Sequence, residues 1–275
     1  MHMDTAIRNV SDTALWVAMC RALESERVDA IFDDPYARRL AGERGATIID
    51  ALPQGRSMAW PVVARTAVMD EIIIQCVRQG ASTVLNLGAG LDARAFRLAL
   101  PTTLEWIDVD LPDLIAMRNG LLSDAVPTCV HRSLAADLSD AAVLADVLAL
   151  ARGPALVITE GLLTYFTQDQ VVALAQAIHA APGARWWLTD LMSPHLLRML
   201  EQSWHAQLAA ANAPMRFAPP DGAAFFELFG WRASELRSVW EESVRLRRST
   251  VAPGLPKAMQ DGYRRMASVV LLERG

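Results

Sequence analysis

The chain has 275 residues, 52% hydrophobic and 21% charged, enough apolar material for one large domain, or a domain with a cap, and too much for general disorder. A formal net charge of −5 gives no long-range attraction for nucleic acid, and the basic run Arg245 to Arg248, which lacks interleaved aromatics, reads as a solvated strand or loop edge. No apolar run approaches the ~20 residues of a membrane span and no leader pattern opens the chain, so a cytoplasmic protein without a membrane partner is expected.

Residues 1–60 read as an amino-terminal helical segment. Ala14, Leu15, Ala18, Met19 and Ala22 recur at helical spacing behind a cap at Ser11 or Asp12. Asp34-Pro35 restarts a short helix through Tyr36 to Leu40, and Pro53-Gln54-Gly55 breaks the pattern again. Arg21, beside a mostly apolar face, reads as a snorkelling or salt-bridged arginine. A further helix runs from Pro61 to about Gln79 and stops at Gly80. On it Arg65 shares a stripe with Met69, Ile72 and Cys76. A guanidinium there needs a partner, either a structural acid or the carboxylate of a cofactor. Cys20, Cys76 and Cys129, odd in number and scattered, form neither a disulfide framework nor a zinc site and read as buried thiols.

The central signal is Thr83-Val84-Leu85-Asn86-Leu87-Gly88-Ala89-Gly90, a buried strand ending in a glycine turn that re-enters a helix. Gly88 and Gly90 allow positive φ and close backbone approach, as a nucleotide cofactor requires. A second strand, Leu104 to Asp110, ends about 20 residues later in Asp108 and Asp110, acids placed to accept from ribose hydroxyls. A helix from about Asp113 to Leu122, a strand near Thr128 to Leu134 and the strand-end acid Asp137 follow. Next come a helix from Asp140 to Leu150 and the strand Ala155 to Thr159, closed by Glu160-Gly161. This βαβ alternation predicts a parallel sheet with its ligands along the edge that holds Gly88, Asp110, Asp137 and Glu160.

A helix from Gln168 to Ala180 and a strand from Arg185 to Leu191 lead into a helical cap insertion, about 194–221, containing His195, Trp204 and His205. Strand-like segments at Glu235 to Arg247 and Met266 to Glu273 close the chain. The expected fold is α/β, a Rossmann-like seven-stranded and mostly parallel sheet over 61–275. Gly88 to Ala93 also satisfies the G-x-G-x-x-A pattern of a nicotinamide dehydrogenase, and a non-catalytic cofactor-binding protein is a third reading.

Three stretches carry a family resemblance: Leu87-Gly88-Ala89-Gly90-Leu91-Asp92-Ala93-Arg94 with Arg97-Leu98, Asp108-Val109-Asp110-Leu111-Pro112, and Thr159-Glu160-Gly161-Leu162-Leu163-Thr164-Tyr165. With Thr13-Ala14, Arg21-Ala22 and Asp34-Pro35-Tyr36-Ala37, the chain resembles the leucine carboxyl methyltransferase family over most of residues 11–192. That family includes bacterial polyketide O-methyltransferases. The resemblance implies a class I methyltransferase using S-adenosyl-L-methionine. Arg65 would meet the methionine carboxylate, Gly88 would underlie the methionyl end, Gly90 would be a further cofactor contact, and Asp110 would hold the ribose, with Asp108 either sharing it or stabilising the strand end. Asp137 and Leu138 would contact adenine, and Glu160 the ammonium. One departure is the lack of a lysine in the amino-terminal segment, where Arg21 is the candidate replacement.

The implied reaction is O-methylation of a small-molecule substrate, first of a carboxylate and next of a phenolic hydroxyl, with no catechol-type metal cluster and no metal expected. His195 is the candidate base, weighed against a structural role, and Tyr165 is the other candidate catalytic side chain. Arg21 and Arg198 are the candidates to draw an anionic acceptor towards an acidic protein.

Overall fold

The computed structural model describes residues 10–52, 55–203, 214–251 and 254–275; Pro53, Gln54, Trp204 and His205 lie outside them. Seven strands form one sheet: β1 Thr83–Leu87, β2 Glu105–Asp110, β3 Val130–Ala135, β4 Ala155–Thr159, β5 Ala184–Met192, β6 Trp231–Ser238 and β7 Ala267–Arg274. Their order is β3-β2-β1-β4-β5-β7-β6. Strands β1 to β5 pair in parallel, whereas β7 runs antiparallel to both β5 and β6. The expected seven-stranded, mostly parallel sheet is therefore present, and the β7 insertion sets it apart from the six-stranded dinucleotide order.

The central strands β1 and β4 are buried at every residue, because helices cover both faces of the sheet and neither side can be polar. Alternate residues serve the two cores. Leu85 and Leu87 of β1 face one side with Val157, Trp187 and the helices α6 (Ala141–Leu148) and α7 (Gln168–Ala180). Val84, Leu156 and Trp186 face the other with Val68, Met69 and Ile72 of α3 (Trp60–Arg78). A third core joins α1 (Val10–Ser25) and α2 (Ala37–Ala51) to Leu91 after β1 and Leu114 of α5 (Pro112–Leu121). A short helix, α4 (Arg94–Arg97), follows the glycine turn. Cys20, Cys76 and Cys129 are buried free thiols. No helix among the described residues is long and apolar enough to cross a membrane.

Several local expectations change. Ser11 and Asp12 lie inside α1 rather than at its cap, and Asp12 instead pairs with Arg44 of α2 at 2.8 Å. The helix expected to end at Leu40 runs on to Ala51, across a break at Gly42, where φ is 56° and ψ is −168°. The segment Glu235 to Arg247 is not one strand. Strand β6 ends at Ser238, whose hydroxyl accepts the Glu241 N–H and caps α9 (Val239–Arg245), while Glu241 and Glu242 lie in its first turn. The basic run is likewise engaged: Arg245 pairs with Glu242 and Glu71, and Arg248 with the buried Glu24. A helix absent from the sequence reading, α10 (Lys257–Arg264), leads into β7. Of the expected insertion, Pro194–Ser203 forms α8, none of whose residues is buried. After the undescribed stretch, residues 214–219 are irregular and a 3₁₀ segment, Gly222–Phe229, buries Phe226.

Candidate functional site

The carboxyl ends of β1, β2 and β4 carry the acids and glycines singled out above, and the sheet brings Gly88, Gly90, Asp110 and Glu160 to one edge. Gly88 has φ 68° and donates its N–H to Val109 O, which ties the turn to β2. A Cβ at Gly88 would come within 2.9 Å of the Leu162 side chain, so the turn fits closely under the loop after β4. The Gly90 N–H donates to Asp110 Oδ2 at 2.7 Å, and the Leu111 N–H to Oδ1 at 2.7 Å. Among the described residues no cation pairs with Asp110, and burial pushes its carboxyl above the usual range.

Asp108 has a different setting. It is 1% exposed, accepts from Asn86 Nδ2 and Trp106 Nε1, and pairs with Arg118 and with His131 at 2.7 Å. Burial would raise its carboxyl, but Arg118 and His131 outweigh burial and lower it. Its acceptor sites are thus filled from within the fold, one pleat back from Asp110.

Arg65 reaches from α3 across the edge. Its Nε lies 2.9 Å from Glu160 Oε1 and its Nη1 2.8 Å from Asp190 Oδ2. Glue on the other side of Glu160 is Arg94, 2% exposed, which pairs with Glu160 at 2.6 Å, Asp92 at 2.8 Å and Asp70 at 2.6 Å. Asp70 also holds Arg97 at 2.7 Å; Arg97 lies 3.6 Å from Asp34, and Asp34 pairs with Arg21 at 2.9 Å. A continuous ion-pair chain therefore runs from β5 through the site to α1. Arg21, 6% exposed, sits at its far end and also donates to Leu91 O.

Burial would raise the Glu160 carboxyl, yet Arg94 and Arg65 outweigh it and lower it. Asp92 behaves likewise: burial is opposed by Arg94, Arg21 and Arg97, which together hold it at about 2 against an ordinary 3.8. A depressed carboxyl contributes stability that is complete above the unfolded value and lost as pH falls through the folded one. Asp92 is therefore expected to contribute about 2 kcal/mol at neutral pH, lost between about pH 4 and pH 2. Urea unfolding of the wild type and Asp92→Asn across that range measures it; parallel curves for the two proteins would refute it.

Asp137 is exposed and accepts the Ser139 N–H at 2.9 Å, with Leu138 half-buried beside it. Tyr165 closes the 3₁₀ turn after β4, and its hydroxyl lies 3.4 Å from Thr13 Oγ1 of α1. His195 and Arg198 are exposed on α8. Asp190 and Arg94 were not read as site residues. Asp190 carries the same strand-end acid signal as Asp110, hidden in an apolar run that continues to Met192. Its Oδ1 accepts the Gly161 N–H at 2.6 Å, at a position where φ is 65°. A narrow cleft opens beside it at the ends of β4 and β5, lined by Gly161, Leu163, Thr164, Asp190, Leu191, Met192 and Phe217.

Comparisons with known proteins agree with this geometry. The family model for leucine carboxyl methyltransferase matches residues 14–179. A Streptomyces coelicolor protein, provisionally named an S-adenosyl-L-methionine-dependent methyltransferase, is 33% identical over 236 residues, 81% of this chain and 83% of its own. A Parafrankia protein with the same provisional name is 30% identical, over 83% of this chain and 79% of its own. Among solved structures, a DUF574 family protein from Streptomyces avermitilis superposes with a TM-score of 0.61 at 16% identity, covering 96% of this chain and 97% of that one. A provisionally named methyltransferase from Thermobifida fusca also scores 0.61, at 15% identity, covering 98% and 96%; at such identities these two likenesses concern the fold alone. The match to residues 14–179, together with the 33% identical relative, places the chain in the leucine carboxyl methyltransferase family, as an S-adenosylmethionine-dependent methyltransferase.

Proposed function

We propose that the protein transfers a methyl group to an oxygen, carboxylate or hydroxyl, of a small, largely apolar, polyketide-like molecule. The observation that carries this reading is the cleft at the ends of β4 and β5. Leu163, Leu191, Met192 and Phe217 give it apolar side chains and, among the described residues, Thr164 and Asp190 give it polar ones, so its wall is mixed. As it stands the cleft has room for about one water molecule, so it marks where an acceptor oxygen would sit and does not enclose a whole ligand.

The residues present fit the cofactor. Asp110, half-buried and paired with no cation among the described residues, has acceptor capacity left for the donors that a ribose diol supplies. Arg94 Nη2 is a buried donor with no acceptor among the described residues. The ion-pair chain sets five acids, Asp34, Asp70, Asp92, Glu160 and Asp190, against four arginines, Arg21, Arg65, Arg94 and Arg97. Its net charge of one negative is the complement of the cofactor's sulfonium, ammonium and carboxylate taken together.

Bound there, S-adenosylmethionine supplies a methyl group activated on a sulfonium. The protein's own task is positional, since an in-line displacement needs the reacting atoms about 3 Å apart in a dry pocket. Asp110 holds the ribose hydroxyls, while Gly88 and Gly90 bring the backbone close. Asp137 and Leu138 edge the adenine. Glu160 keeps lone pairs free beside Arg65 and Arg94 to accept from the ammonium, and Arg65 faces the carboxylate. Asp190 belongs both to the Arg65 pair and to the cleft wall, so the cofactor end and the acceptor pocket share a boundary.

The test is transfer of isotopically labelled methyl to a panel of small apolar acids, phenols, amines and thiols. Label is expected on oxygen, and mild alkali then separates esters, which release it, from ethers, which do not. Label on nitrogen, carbon or sulfur rejects the proposal, as does binding of cofactor without transfer to any member. With a productive acceptor, a carboxylate gives a nearly flat rate above about pH 5 and little loss in His195→Ala, because no proton has to leave. A hydroxyl whose proton passes to His195 gives a rate that climbs through neutral pH and collapses in that variant.

A further inference from the structure

The cleft wall discriminates between the two oxygen acceptors. Among the described residues its one ionisable lining residue is Asp190, whose side chain is 18% exposed, so the carboxylate is open to a ligand as well as held by the protein. Each of its oxygens has one protein donor, the Gly161 N–H at 2.6 Å on Oδ1 and Arg65 Nη1 at 2.8 Å on Oδ2. A carboxylate oxygen accepts two hydrogen bonds, so lone pairs remain for a further donor. Among the described residues no basic side chain lines the cleft to receive an anion. Arg65 pairs with Glu160 and Asp190, and in the reading above it also faces the cofactor's carboxylate. Arg216, whose backbone N–H meets Thr164 O at 2.7 Å, is exposed and outside the lining. Arg198 is exposed on α8.

We infer that the acceptor is a neutral hydroxyl compound with an apolar body, and that its O–H donates to Asp190. This rests on the O-methyltransferase reading and narrows it, against the sequence expectation that put a carboxylate first. A carboxylate acceptor would bring a second negative charge beside Asp190 in a partly desolvated cleft, a like-charge contact that Arg65, already divided between Glu160 and Asp190, offsets only in part. A hydroxyl offers the donor that Asp190 lacks. In the transfer, a lone pair of the hydroxyl oxygen forms the new O–CH3 bond as the S–CH3 bond breaks, and that bonding pair stays on sulfur, which becomes a neutral thioether. The hydroxyl proton passes to Asp190 and from there to water. Asp190 is in this account a catalytic residue, touching the reacting oxygen.

The test uses one carbon skeleton with two functions, 2-naphthol and 2-naphthoic acid, titrated at neutral pH into the full chain saturated with S-adenosylhomocysteine, which prevents turnover. Wild type is expected to bind 2-naphthol at least tenfold more tightly than 2-naphthoate. Asp190→Asn keeps an acceptor for Gly161 and removes the charge, and it is expected to cut that ratio at least fivefold, mainly by strengthening naphthoate. Using the ratio cancels any common effect of the substitution on folding or on cofactor binding. Preference for naphthoate in the wild type, a ratio unchanged in Asp190→Asn, or binding of neither probe overturns the inference. Labelled methyl from S-adenosylmethionine separates the two levels. Methyl naphthoate as the favoured product removes the hydroxyl assignment and leaves O-methylation standing, whereas label going to 2-naphthylamine or 2-naphthalenethiol instead removes both.

Discussion

Arg94→Met is expected to lower the free energy of unfolding by about 3 to 5 kcal/mol, the cost of leaving buried charges without their partner. Arg94 is 2% exposed and touches three carboxylates, Asp70, Asp92 and Glu160. After its removal Asp70 keeps Arg97 and Glu160 keeps Arg65, but Asp92 loses the arginine with the largest effect on it. Arg94→Lys is expected to recover only part of the loss, because one ammonium cannot span three carboxylates as a planar guanidinium does. Urea unfolding of the cofactor-free protein measures both variants. A loss below about 1 kcal/mol for Arg94→Met, outside the range for a broken buried pair, would show that water or rearranged acids replace the guanidinium.

Asp110→Ala is expected to weaken S-adenosylmethionine binding by about 1.5 to 3 kcal/mol, roughly 10- to 150-fold, since the ribose loses charge-assisted hydrogen bonds. Stability without cofactor is expected to hold or rise slightly. Burial makes the ionised Asp110 unfavourable in the empty fold, and its protein donors are two backbone N–H groups that face the turn. Calorimetric titration and thermal unfolding of the same preparations test the pair of statements. Unchanged affinity in a folded variant would remove Asp110 from the site.

The sheet was legible because its evidence is local. Apolar runs of five or six residues bounded by glycines and acids mark β1, β2 and β4, and the strand-end position of Asp110 follows from counting along β2. Tertiary ion pairs leave no such trace. Arg65 and Asp190 are 125 positions apart and Arg94 and Glu160 are 66 apart, so an arginine on an apolar stripe shows that it needs a partner but not which acid will serve. Asp108 and Asp110 look equivalent in the sequence, two positions apart on one face. What separates them is Arg118 from α5 and His131 from β3, which converge on Asp108 alone. Strand period gave way to a helix after β6 for a related reason. The Ser238 cap, with Glu241 and Glu242 in the first turn, turns the chain into α9.

The place of β7 between β5 and β6 has a consequence for how the molecule is made. Strands β1 to β5 lie in the first 192 residues, yet β5 keeps an open edge until residues 267–274 arrive to pair with it. During synthesis that edge, with Trp186, Trp187 and Leu188 on it, has no neighbour while more than seventy further residues are translated. An unpaired apolar edge is a template for another chain. The interval between the emergence of β5 and that of β7 is therefore when the nascent protein is most exposed to wrong pairing, and strand β7 ends that exposure of β5 while also pairing one edge of β6.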